Sequence, residues 1–348
     1  MHRMSPLLSD TTVSRVKGAN GFDAIKYVFA FLLIAFHFTV ATGMEKPWFV
    51  PNGEKVVMTF FVIAGFLVVY GFIRNSDLGR YVRKRCLRIL PSYVLVVAAS
   101  FLLLSALSNL DFRDYFSDPQ SWRYLVWNLL MLNFLEPDLP GVFASNPEHC
   151  VNGSLWFVKV IVMFYVAVPF IVWLLRRIPK IWVVTAIYGL SVAYIIVFDH
   201  LYESTGNPIY WSLQHQLGGN MVYLFSGTII LLYFDAFCRY IRWLFPLALA
   251  VFIAYDVFGL SVLRHVAPLA FAVLIIGLAF FCKPLFALKG RTNITYELFL
   301  FHFPIIQVVV HFRIHEQSLL LAFVLSLAAT IGVSLLSHRA LKQLGEMG

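Results

Sequence analysis

Charge is what this 348-residue chain has least of: Asp, Glu, Lys and Arg supply only 13% of it, where a soluble domain has about 25%. That scarcity, with 60% hydrophobic residues and a mean hydropathy of +0.79, excludes a soluble globular protein and leaves an integral membrane protein. Cysteine is sparse too. The four present (Cys86, Cys150, Cys238 and Cys282) are scattered without a CxxC, so neither a disulfide framework nor a metal site is expected. The first twenty residues, MHRMSPLLSDTTVSRVKGAN, lack the apolar core of a signal peptide, and the first span is expected to act as an uncleaved signal-anchor. There is no internal repeat or low-complexity linker, which predicts one domain over residues 1–348. Nor are there Gly/Pro-broken helices in matching positions, which argues against an inverted-repeat transporter. The net charge of +9 would point to nucleic acid in a soluble protein. Here the basic residues sit in short loops between apolar runs, where orientation in the bilayer and anionic lipid headgroups account for them, so membrane lipid and not nucleic acid is the expected partner.

What is there instead is apolar sequence of spanning length. Runs at 22–42, 56–73, 90–108, 155–175, 181–198, 216–234, 241–258, 262–282, 293–312 and 318–337 predict an all-α membrane bundle of about ten transmembrane helices. An eleventh run, Tyr124–Leu135, is short and holds Asn128 and Asn133. Charge decides whether it crosses. The segment with Arg74, Arg80, Arg83, Lys84, Arg85 and Arg88 is strongly basic and belongs in the cytoplasm, and the N-terminal tail, residues 1–20 with Arg3, Arg15 and Lys17, then lies there too. If 124–135 does not cross, the basic loops Arg176–Lys180, Arg239–Arg242 and Lys283–Arg291 and the tail with Arg339 and Lys342 also fall inside; if it crosses, all four move outside. The expectation is therefore both termini cytoplasmic, with 124–135 re-entrant or interfacial inside a long outer loop at 109–153.

The most informative stretch is Gly21–Val40, long and apolar enough to span yet carrying Asp23, Lys26 and His37. An ionisable residue at the centre of a membrane helix costs about 2.5–3.5 kcal/mol on insertion scales, so each is a functional candidate. Lys26 and His37 are eleven residues apart, about three turns, which puts them on nearly one face and roughly 16 Å apart along the axis. Asp23, Ala30 and Ile34 share that face. Farther on, Arg85 and Arg88 stand at i and i+3 on one helical face. They read either as a positive-inside anchor or as a phosphate clamp at the inner mouth, since guanidinium pairs bind phosphate oxygens bidentately. Asn152-Gly-Ser and Asn293-Ile-Thr match glycosylation acceptor triplets, which chance supplies often enough to carry no weight.

Five motifs in order carry a resemblance: Lys26 with His37; FFVIAGF at Phe60–Phe66; KRCLRILP at Lys84–Pro91; Leu155, Trp156 and Phe157 followed by Tyr165 and Pro169; and YELFLFHFP at Tyr296–Pro304, with His302. Together they resemble acyltransferase family 3, the multi-span membrane enzymes that O-acylate cell-surface glycans, over most of the chain. Three positions depart from the usual pattern: Ala64 where Ser is common, Lys26 where Arg is commoner, and Ile161 where many members carry Glu. The last removes a carboxylate from that helix and suggests a subgroup with a different acceptor or acyl group. The sequence ends after its last apolar run, so the esterase-like domain fused to some members is not expected.

The resemblance implies an acyltransferase of the O-acetyl type in the bacterial inner membrane, moving an acyl group, acetyl by preference, from acyl-CoA to a hydroxyl of a surface or lipid-linked glycan, without a metal. His37 would be the base that deprotonates the acceptor hydroxyl, or would briefly carry the acyl group; its bland alternative is a histidine hydrogen-bonded in the bundle. Lys26 would assist catalysis by binding a donor phosphate or carbonyl or by orienting His37, or it simply snorkels at the interface. Arg85 and Arg88 would hold the phosphates of acyl-CoA. Asp23, Trp156, Tyr165 and His302 are the expected pocket residues, each with an ordinary pairing or packing role as its alternative. A transporter or flippase of a lipid-linked glycan or acyl group, with Lys26 and His37 lining a path, is the competing function, and a non-catalytic partner in glycan assembly is a third.

Overall fold

A computed structural model describes residues 7–289 and 292–346, with side chains described as far as residue 343; Arg3 and Arg291, counted above among the inner cations, lie outside the described residues. Among the described residues the fold is all-α. A short helix α1 (Asp10–Lys17) precedes three long ones, α2 (Phe22–Thr42), α3 (Gly53–Arg74) and α4 (Leu78–Leu103). The next segment holds α5 (Phe112–Ser117) and α6 (Pro119–Leu129), followed by α7 (Trp156–Arg177), α8 (Lys180–Thr205) and the short α9 (Pro208–Gln214). The remainder comprises α10 (Leu217–Leu232), α11 (Phe234–Asp256), α12 (Ala267–Phe281), α13 (Thr295–His311), α14 (Ile314–Gln317) and α15 (Leu319–Glu346).

Seven of these are long and apolar enough to cross a membrane: α2, α3, α4 with its 3₁₀ extension to Leu107, α7, α8, α11 and α15. The runs at 216–234, 262–282 and 293–312 also form helices, but of 16, 15 and 17 residues. Local chemistry shortens them. The second of these runs spends its first residues in a 3₁₀ turn at Ser261–Leu263, and the third stops where Arg313 adopts a left-handed φ of 53°. The α6 helix has 11 residues, about 16 Å at 1.5 Å each, too short to cross the roughly 30 Å hydrocarbon layer.

The chain forms two compact units, each assembled from three separated segments. One holds the chain up to Lys26, Val57–Tyr81 and the stretch that starts at Val160 and ends before Thr292. Its centre is a cluster of phenylalanine rings: Phe66 lies 5.6 Å from Phe22, 5.5 Å from Phe234 and 5.7 Å from Phe280. Within lipid, chain association depends on close packing more than on escape from water, and glycine provides it here. A Cβ on Gly65 of α3 would strike the carbonyl of Leu224 on α10, and one on Gly227 would strike that of Val62. The two backbones meet with Thr228 Oγ1 donating to Gly65 O at 3.0 Å. The glycine of FFVIAGF is thus a packing residue. The start of α2 is fixed by Gly21 N–H donating to Ala279 O at 2.7 Å.

The other unit holds Tyr27–Val56, Val82–Lys159 and the chain from Thr292 onward. Ile34, Phe38 and Ala41 of α2 pack there with Ile306, Val309 and Val310 of α13 and Ala322 of α15. Ala30 and Ile34, predicted to share a face with His37, are buried.

Prolines inside four of the helices, Pro91, Pro169, Pro246 and Pro304, impose a further requirement, and two of them show how it is met. Pro lacks the N–H that would bond the carbonyl four residues earlier, and in lipid that carbonyl must find a donor within the protein. In α7 Pro169 frees Tyr165 O, and Tyr81 Oη donates to it at 2.9 Å. In α13 Pro304 frees Leu300 O, and Asn152 Nδ2 donates to it at 2.9 Å.

Candidate functional site

His37 and His302 meet. His37 Nδ1 lies 2.7 Å from His302 Nε2, and the two rings stack at 16° with centroids 5.0 Å apart. His302 is fully buried and His37 half-buried. Phe303 packs edge-on to the His37 ring with its centroid 5.0 Å away.

Hydrogen-bond partners fix the tautomers. His302 Nδ1 faces Leu298 O at 3.0 Å. A carbonyl only accepts, so Nδ1 carries the proton, and in neutral His302 the other nitrogen, Nε2, is an acceptor. His37 Nδ1–H must then be the donor across the 2.7 Å contact. That leaves His37 Nε2 with a free lone pair: the proton-accepting end of a chain that runs from the backbone through two imidazoles. Ser154 Oγ, 3.4 Å from His302 Nε2, adds a second, longer donor to the same acceptor.

The helix under His302 is fixed along its length. At its start Tyr296 Oη donates to Ile89 O at 3.2 Å and Glu297 pairs with His338 Nδ1 at 3.1 Å. Beyond Pro304, Gln307 Nε2 donates to the carbonyls of Glu148 and Cys150 at 2.8 Å each, while Asn146 Nδ2 donates to Gln307 Oε1 at 2.9 Å. Between these anchors Asn152 holds Leu300 O and accepts Ser154 N–H on its own Oδ1 at 3.1 Å. One tripeptide, Asn152–Ser154, therefore repairs the proline break and sets a hydroxyl beside His302. Sequence reading set this triplet aside as a chance acceptor motif. The signal available was physical: a proline inside an apolar helix calls for a side-chain donor from elsewhere.

The other predicted residues are distributed as follows. Lys26 pairs with Asp23 at 2.6 Å in the first turns of α2. Arg85 and Arg88 stand on α4, Arg85 partly buried and Arg88 exposed. They belong to the same unit as the histidines, and the Tyr296–Ile89 hydrogen bond ties the start of α13 to the residue after Arg88. From Tyr296, His302 is six residues farther along α13, a rise of about 9 Å. Trp156 opens α7, and its neighbour Phe157 packs on Phe299 at 4.8 Å between ring centroids. Tyr165 is in the other unit, where its carbonyl accepts Tyr81. Among the described residues no group of three or more His, Cys, Asp or Glu side chains is arranged to hold a metal ion.

A family model described as an acyltransferase domain matches residues 19–339. The chain is 26% identical over 152 residues to an O-acetyl transferase of Shigella phage Sf6, a stretch covering 42% of this chain and 44% of that protein. It is 30% identical over 129 residues to Nodulation protein 10 of Rhizobium leguminosarum bv. viciae, covering 35% of this chain and 34% of that protein. The chain thus spans less than half the length of these curated relatives. No solved structure matches it.

Proposed function

The chain belongs to the acyltransferase family whose model covers residues 19–339, and on that premise we propose that it is an integral membrane O-acyltransferase moving an acyl group, acetyl by preference, from acyl-CoA to a hydroxyl of a surface or lipid-linked glycan. The observation that carries the proposal is the His37–His302 hydrogen bond, because it leaves His37 Nε2 as the proton acceptor. His37 takes the hydroxyl proton as the acceptor oxygen attacks the thioester carbonyl. The new C–O bond forms, the C–S bond breaks, and the proton passes from His37 to the departing thiolate. Positive charge on His37 is transient, and the Nε2 lone pair of His302 stabilises it through the Nδ1–H it accepts, as an orienting acceptor does behind any catalytic imidazole. A route through an acyl-histidine uses the same Nε2 as nucleophile.

Arg85 and Arg88, one helical turn apart, hold the phosphates of the donor, and Lys26, neutralised in part by Asp23, stabilises the foot of α2. The topology read from charge, ten spans with both termini inside, in which the helices of 16, 15 and 17 residues also cross, puts the arginines on the cytoplasmic side, where acyl-CoA is made. His37, about three-quarters of the way along α2, faces the outer half, where glycan assembly finishes. The protein then resides in the bacterial inner membrane.

The test supplies labelled acetyl-CoA and the glycan to membranes that contain or lack the chain. Label in the glycan that depends on the chain supports the reading. Absence of transfer with any acyl donor, together with movement of a lipid-linked glycan across the bilayer, contradicts it and favours a flippase.

A further inference from the structure

The first of the two units carries a cavity of about 750 Å³ that the acyl-transfer chemistry does not use. Its walls come from α1 and from the adjoining ends of α3, α7 and α8. Leu8 and Leu175, both buried, give it an apolar floor. Its rim carries three cations, Arg74, Arg176 and Lys180, against one carboxylate, Asp10.

Two of the three cations are set in place. Arg176 Nη2 donates to Ser76 Oγ at 2.6 Å. Lys180 Nζ donates to Leu232 O at 3.1 Å and lies 4.7 Å from the centre of the Tyr233 ring. Neither contact neutralises a charge. The wall formed by α1 is likewise held: Ser9 Oγ and the hydroxyls of Thr11 and Thr12 donate to Asp235 at 2.5, 3.0 and 3.1 Å. The level of the cavity in the bilayer is marked by exposed tryptophans at the same helix ends, Trp173 near the end of α7 and Trp182 near the start of α8. Arg177 stacks over the Trp173 ring at 5.5 Å. Tryptophan concentrates at the headgroup layer of a membrane.

An apolar floor, a rim with net positive charge and a position at headgroup depth fit one chemical class: an amphiphile whose phosphate meets Arg74, Arg176 and Lys180 while its hydrocarbon lies on Leu8 and Leu175. We propose that this cavity is a binding site for a phosphate-bearing ligand, occupied in the membrane by an anionic phospholipid. Its lining residues belong to the first unit and Arg85 and Arg88 to the second, and it does not depend on the acyltransferase reading.

The test places the full chain in nanodiscs of phosphatidylglycerol or of phosphatidylcholine and measures lipid retained after extraction by native mass spectrometry. The expected result is retention of phosphatidylglycerol that falls roughly tenfold in the Arg176→Gln/Lys180→Gln double variant, since two charge-assisted contacts are lost. An Arg239→Gln/Arg242→Gln control, which removes equal charge from exposed positions on α11, should leave it unchanged. Asp10→Asn should increase retention, a gain that misfolding cannot imitate. Excess inorganic phosphate separates the sources: retention that resists it identifies a lipid, whereas displacement by it assigns the same cations to a soluble phosphate. Equal retention of both lipids, or equal loss in both double variants with no gain in Asp10→Asn, overturns the proposal.

Discussion

The side-chain amide of Asn152 donates to the carbonyl of Leu300, which Pro304 leaves without its helical partner. This bond joins the segment before α7 to the turn of α13 that presents His302. Removing the amide strands a buried carbonyl, at about 1–3 kcal/mol. Asn152→Ala should therefore lower the melting temperature and the transfer rate together. Pro304→Ala restores the missing N–H, so the double variant should recover much of the loss. A thermodynamic cycle on purified protein reads this coupling, and strictly additive effects would show that the proline and the asparagine act independently.

His302 is a positioning residue, since its Nε2 acts as an acceptor, for the His37 N–H and at 3.4 Å for Ser154 Oγ. Losing a hydrogen bond to a group that becomes charged costs about 1.5–3 kcal/mol, roughly ten- to a hundredfold in rate. His302→Ala should show that loss in kcat with donor KM unchanged. His302→Gln keeps an acceptor oxygen and should recover part of it. Equal activity of the two variants would assign His302 to packing alone.

Gly65 and Gly227 are backbone-contact positions whose obstacles are main-chain carbonyls. Gly65→Ala should destabilise the protein by at least the ~1–3 kcal/mol of an overpacked core, because carbonyls yield less than side chains. Gly189→Ala, in α8 with nothing within 4 Å of the added carbon, should not destabilise the protein and should gain about 0.5–1 kcal/mol from helix propensity. Thermal unfolding followed by size exclusion distinguishes the two.

Two cysteines offer a probe without mutation. Burial, reinforced by the Glu148 and Asp138 carboxylates, pushes the Cys150 thiol up to about 12, so almost no thiolate forms at pH 8. Cys86 is exposed beside the basic segment of α4. A maleimide at pH 8 should modify Cys86 and spare Cys150 in folded protein, with peptide mass spectrometry as the readout. A membrane-impermeant maleimide should reach Cys86 from the cytoplasmic side only; labelling from the outside alone would reverse the proposed orientation.

The sequence made the helices legible because apolar length is a local property: all ten predicted runs became helical. Their ends were less so. The run at 293–312 ends where Arg313 turns left-handed, a feature of backbone geometry with no hydrophobic signature. The histidine pair was half legible. Both residues stood out as polar groups in apolar helices, yet that they face one another at 2.7 Å depends on how α2 and α13 pack. Asn152 and Ser154 were missed because their partners are 148 residues away in the chain. Tyr165 was expected as a pocket or packing residue from the motif it shares with Pro169; the hydrogen bond that its carbonyl, freed by Pro169, accepts from Tyr81 had no sequence signal.

The most direct measurement is single-turnover transfer of a labelled acyl group by the His37→Ala variant at saturating donor. With His37 as the proton acceptor, the rate should fall by about 10²–10⁴-fold, while donor binding, assigned to Arg85 and Arg88, stays at the wild-type level. A His37→Ala rate within threefold of wild type would contradict the account.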